Sequence, residues 1–110
     1  MTRINLPERR PNQTIDLKHK GMTFSVTLGF DPRDGRPMEV FGQSPHAGSD
    51  FAMLLSDACV ILSIALQHGI KPSELSKTMQ WSPVVGEAGR TSEPSSVIGA
   101  IVVALVEMER

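Results

Sequence analysis

The chain reads as an α+β domain: a three-stranded antiparallel sheet followed by a long central helix, a short helix and a C-terminal helix. Two observations predict this. From Thr14 to Phe41 apolar residues alternate with polar ones and the run is broken by turn clusters, whereas from Ser49 onward apolar residues recur at helical spacing. The length of 110 residues and a hydrophobic fraction of 40% against 21% charged residues fit one domain with a real core.

Residues 1 to 13 carry Arg3, Arg9, Arg10, Pro7 and Pro11 with few apolar anchors, which predicts a basic N-terminal arm ahead of a domain spanning 14 to 110. Ile15 and Leu17 alternate with polar neighbours, and so do Met22, Phe24, Val26 and Leu28. Two strands follow, joined by Lys18-His19-Lys20-Gly21 as a hairpin loop in which Gly21 takes a positive φ. Asp31-Pro32-Arg33-Asp34-Gly35-Arg36 supplies a second reversal, and Pro37 to Phe41 returns as a third strand.

Gly42 to Gly48 is loop by composition, and Ser49-Asp50 offers the oxygen acceptors that cap a helix. The helix so opened has a wide apolar stripe of Phe51, Leu54, Leu55, Ala58, Ile61, Leu62, Ala65 and Leu66, the expected centre of the core, with Met53, Cys59, Val60 and Ile64 apolar on the other side. It closes at His68-Gly69, with Ile70 folding back. Pro72 opens a shorter helix to about Met79. Residues 82 to 93, with Pro83, Gly86 and Gly89, form a connector without assigned structure. Pro94 opens a last helix, Ser95 to about Glu107, whose apolar residues point in nearly every direction, so a monomer is not expected to enclose them. Its residues Val97, Ile98, Ile101, Val102 and Leu105, with Trp81, are the expected interface of a homodimer.

A net charge of -1 provides no global field to recruit nucleic acid or an anionic membrane. The single Cys59 cannot close an internal disulfide and sits in an apolar run, so a reducing, cytoplasmic location is expected. The N-terminus lacks the apolar stretch of a secretory signal, and no run is read as long enough to span a bilayer.

The polar candidates are few. Cys59, His19, His46 and His68 have no recognisable metal-ligand spacing and read as a core thiol with exposed histidines; no metal and no cofactor is expected. The loop from Gly42 to Ser49 precedes a helix and has the form of a small anion cradle, but it lacks the Lys of a P-loop, and Ser49 and Asp50 explain themselves as caps. Asp57, inside the most apolar helix, is expected to reach a partner such as Arg36 or Arg90. Arg9, Arg10, Lys18, Lys20, Arg33 and Arg36 all fall in the first third and form the candidate anion or nucleic-acid face, with no Tyr to supply stacking.

In order along the chain stand Asp34-Gly35-Arg36-Pro37 leading into Glu39-Val40-Phe41, Gly48-Ser49-Asp50 opening a helix, the run Ile61 to Gly69, and Thr91-Ser92-Glu93-Pro94 before the last helix. This succession, over about residues 14 to 107, resembles the TSCPD domain, which is found as the C-terminal appendage of vitamin B12-dependent ribonucleotide reductases and as short free-standing bacterial proteins. Where the naming motif has Cys and Asp, this chain has Glu93 and Ser95, so a cysteine-based role of that motif has lost its ligand. The resemblance implies ancestry shared with the reductase appendage. Reductase chemistry itself needs a radical-generating cofactor and several cysteines, and one Cys in 110 residues does not supply them. The expected function is a non-catalytic, self-associating interaction or accessory module, with a reductase or another bacterial protein as a further partner. Nucleotide or nucleic-acid binding through the basic first third is the alternative, and reductase-associated activity the weakest one.

Overall fold

The computed structural model describes residues 11–86 and 89–109. In chain order these form β1 (Asn12–His19), β2 (Met22–Phe30), β3 (Pro37–Gln43), α1 (Asp50–Gln67), α2 (Pro72–Thr78), β4 (Trp81–Gly86), β5 (Gly89–Pro94) and α3 (Val97–Glu107). The first three strands make an antiparallel sheet in the order β1-β2-β3, and β4 and β5 make a separate two-stranded ribbon. The first ten residues of the expected basic arm, with Arg9 and Arg10, lie outside the described residues; Asn12 and Gln13 already belong to β1.

Period-two alternation sets the register of the sheet. Ile15 stands opposite Val26 and Leu17 opposite Phe24 on the inner face, while Thr14 faces Thr27 and Asp16 faces Ser25 on the outer face. The outer pairs are hydrogen-bonded: the Thr hydroxyls lie 2.8 Å apart, and Ser25 Oγ donates to Asp16 Oδ1 at 2.7 Å. The β1–β2 turn is two residues long, with Lys20 at φ 49° and Gly21 at φ 83°, the doubly positive geometry whose twist matches a hairpin.

Asp31 organises the next reversal. Its buried carboxylate accepts from the Arg33 backbone N–H at 2.9 Å and from Arg33 Nε and Nη2 at 2.9 and 2.7 Å. Those bonds to the charged form hold its pKa down at about 2.

The free edge of β3 is covered by α1. Ser63 Oγ accepts from the Val40 N–H at 2.8 Å and shares its own proton between Val40 O and Cys59 O, and Gln67 Nε2 donates to Met38 O. Side chains of a helix thus supply what a fourth strand would. The approach is close: a Cβ on Gly42 would stand 2.6 Å from Leu55 Cγ, so a glycine is required there. Ser49 caps α1 by accepting from the Ala52 N–H, and the helix closes with Gly69 at φ 87°, Gly69 N–H donating to Leu66 O and Ile70 N–H to Ala65 O.

Four expectations are corrected. The segment 82 to 93 is an antiparallel hairpin, Trp81 opposite Pro94 and Val85 opposite Arg90, with residues 87–88 outside the description. Its Pro and Gly residues suggest a breaker, yet in a two-stranded ribbon both strands are edges, so the missing N–H of Pro83 costs nothing in the ladder. The last helix begins at Val97, capped by Ser96, because Pro94 is already the last residue of β5. Third, α3 lies largely within one protomer: Ile101, Val102 and Leu105 are 0% exposed and fill the core, out of reach of a partner, while Val97 and Ile98 are half-buried against it. Fourth, Asp57 stands exposed on α1 and reaches neither Arg36 nor Arg90, because its side of the helix is not the side that faces the sheet.

Candidate functional site: the outer face of the long helix

The apolar surplus expected on α3 lies on α1. Leu55, Ala58, Cys59, Leu62 and Leu66 point into the core, where they meet Phe24, Val26, Leu28 and Leu105. At 100° per residue, Leu54, Asp57, Ile61 and Ile64 then share the opposite stripe, flanked by Met53 and Val60. Leu54 is 62% exposed and Ile61 68%, and Met53 and Val60 are also more than half exposed. Contiguous apolar surface of this kind marks a contact site. Asp57 sits at its centre.

By length and composition α1 also passes as a helix able to cross a membrane, which corrects the reading that no run is long enough. Here a third of it is buried within the fold, and Ser63 and Gln67 tie it to β3.

The β4–β5 hairpin presents a second exposed face. Trp81, Pro83 and Val85 alternate onto one side of the ribbon, together with Arg90 and Ser92 from the opposite strand, and all five are exposed. Trp81 is steadied by its indole N–H, which donates to Ser76 O at 3.0 Å, and keeps 43% of its surface accessible. Val85, at 75%, is the most exposed large apolar residue described.

Among the described residues, three of the candidate cations are already engaged within the fold. Arg33 is held by Asp31, Arg36 Nε meets Asp34 Oδ2 at 2.7 Å, and Lys20 Nζ donates to Ser95 O at 3.2 Å. Lys18 is exposed on the outer side of β1.

A cavity of about 250 Å³ lies between β3 and α1, bordered by Phe41, Gly42, Cys59, Ser63 and Ile64. It contains no activated nucleophile: burial pushes the Cys59 thiol up to about 11, and Ser63 is committed to the strand edge. A second cavity, between the β1–β2 turn and the loop before α1, is lined by Met22, Ser44, His46, Ser49 and Phe51. Ser49 there is spent on the cap and on donating to His46 O at 2.8 Å, as the capping reading expects.

His19 is not exposed as expected. It continues the inward phase of Ile15 and Leu17, is buried, and its Nε2 has no hydrogen-bond partner. Among the described residues, no group of three or more His, Cys, Asp or Glu is placed to hold a metal ion.

The sequence reading named Trp81 on the hairpin face but placed Leu54 and Ile61 in the buried stripe of α1, although one signal was present: the only charged residues of α1, Asp50 and Asp57, fall on the stripe with Leu54 and Ile61 and so mark the side turned to solvent. No curated protein and no solved structure matches the chain. The family model of the TSCPD domain matches residues 3–109, almost the whole sequence: the chain belongs to the TSCPD domain family.

Proposed function

We propose that this chain is a non-catalytic interaction module of the TSCPD domain family that acts in the cytoplasm without a cofactor and self-associates through the outer face of α1. The observation that carries the reading is the exposed apolar stripe Leu54, Ile61 and Ile64 with Met53 and Val60 beside it, on a helix whose other side is bonded to the sheet. Such a surface in water favours a protein partner, because burying it removes apolar area from solvent. The kinship with the reductase appendage fits an accessory role beside a larger enzyme. The rival reading, anion binding through the first third, is weakened by the carboxylates that already occupy Arg33 and Arg36.

Light scattering after size-exclusion chromatography tests the proposal. The wild-type protein is expected to run above monomer mass at micromolar concentration, and a Leu54→Lys/Ile61→Lys variant as a folded monomer. A wild type that stays monomeric, or a double variant that keeps the oligomer mass, overturns it.

A further inference from the structure

We infer that the occupant of the α1 face is the β4–β5 hairpin of a second copy of this chain, with Arg90 of one protomer paired to Asp57 of the other in a symmetric dimer. This rests on the self-association proposed above and names its contact.

Charge complementarity is the first argument. The α1 face is apolar with one anion, Asp57, at its centre and a second, Asp50, at its N-terminal end. The outer hairpin face is apolar with a single cation, Arg90, directly across the ladder from Val85. Neither Asp57 nor Arg90 has a hydrogen-bond or ion-pair partner among the described residues, whereas Arg33 and Arg36 are satisfied within their own turn. Each free charge would be costly under an apolar cover unless that cover brought the opposite sign.

Area is the second argument. The five exposed apolar residues of α1 offer on the order of 100 Å² each, and Trp81 and Val85 a comparable amount, or roughly 700 Å² per protomer. Exchange of hairpins across a two-fold axis uses both faces twice and buries about 1,400 Å², within the standard range for a specific interface. Packing α1 on its own copy would use only the helices, roughly 1,000 Å², at the lower limit for a stable contact, and would bring two Asp57 carboxylates together in an apolar setting.

Stability of the hairpin is the third. A two-stranded ribbon alone in water is marginal, and β4–β5 has open edges on both sides and touches the rest of its own protomer chiefly at the start of α3. Seating its outer face on a partner supplies the missing cover.

The test is a charge swap read by sedimentation equilibrium. Asp57→Arg and Arg90→Asp, both at exposed positions and checked for folding by circular dichroism, are each expected to weaken self-association about ten- to hundred-fold, through two like-charge pairs per dimer. Mixed one to one, the two variants set the introduced guanidinium against the introduced carboxylate at one contact and the native Arg90 against the native Asp57 at the other. The heterodimer should therefore form with an affinity within about threefold of the wild type. A mixture that stays monomeric, or an Arg90→Asp protein that associates like the wild type, overturns the inference. In either case the Leu54→Lys/Ile61→Lys result separates the two claims: if that variant is monomeric while Arg90→Asp is not, the α1 face is the interface and the hairpin is not its occupant.

Discussion

The two long helices of this protein have similar apolar composition and opposite fates. The eleven residues of α3 hold no charge before Glu107, and the helix disappears into the fold, with Ile101, Val102 and Leu105 sealed. The eighteen residues of α1 are apolar on both sides, yet only one side is used: Leu55, Cys59 and Leu62 meet the sheet while Leu54, Val60 and Ile61 face outward. Hydrophobicity alone predicts exposure poorly, because what a helix buries depends on how many neighbours reach it. Around α3 stand the sheet, α2, the inner side of α1 and the β5 end of the hairpin, whereas α1 lies at the edge of the sheet with nothing beyond its outer side among the described residues.

The sharpest way to break this contrast is the same kind of truncation on both helices. Leu105→Ala should destabilise the protein by about 3 kcal/mol, since it removes a fully buried side chain and leaves a cavity. Ile61→Ala should change the stability of the dilute monomer by less than about 0.5 kcal/mol. Urea unfolding at sub-micromolar concentration measures both, and equal losses at the two positions would show that α1 is covered within the protomer.

Gly42→Ala tests the side of α1 that is held. Its new methyl would meet Leu55 Cγ at 2.6 Å and Cys59 Sγ at 3.0 Å, two groups fixed in the core, so the helix must move away from β3. A loss of about 1–3 kcal/mol is expected, together with faster amide exchange in α1 than in α3. A neutral outcome would mean that α1 shifts freely on the sheet and that the Ser63 and Gln67 bonds to the strand edge do not fix it.

How far the fold could be read from sequence follows from the range of each signal. The positive φ of Gly21, the Ser49 cap and the Gly69 closure are local chemistry, and all three stand as expected, although the loop read as Lys18 to Gly21 tightens to Lys20-Gly21 with Lys18 and His19 in β1. The β4–β5 hairpin was hidden because Pro83 and the glycines argue against strand only where both neighbours must be paired. The exposure of α1 was hidden because sequence periodicity finds an apolar stripe without saying whether a second layer will cover it. Asp57 shows the limit clearly: read as a buried charge in need of a partner, it is instead the residue that marks the uncovered side. His19 makes the opposite case, since period two alone places it inward with Leu17 and Ile15 while its polarity suggests solvent.

The smallest expected effect lies in the turn that delivers β3 to α1, and its pH dependence has a definite sign. Asp31 is held down to about 2 from an ordinary value of 3.8, chiefly by its hydrogen bonds from the Arg33 side chain and backbone. The unfolded chain therefore takes up a proton at this carboxylate before the folded one does, and stability rises with pH across that window. The contribution is complete above about pH 4 and is lost as pH falls toward 2, with Arg33 largely exposed and its side of the pair screened by solvent. Urea midpoints taken at pH 5, 3.5 and 2.5 should fall in that order for the wild type. Asp31→Asn should lower the midpoint at pH 5 and flatten the decline below it, because its amide neither titrates nor draws Arg33 in with a full charge. If that variant declined with acid as steeply as the wild type, the acid sensitivity would belong to carboxylates elsewhere, and the turn would hold β3 beneath α1 through its backbone bonds alone.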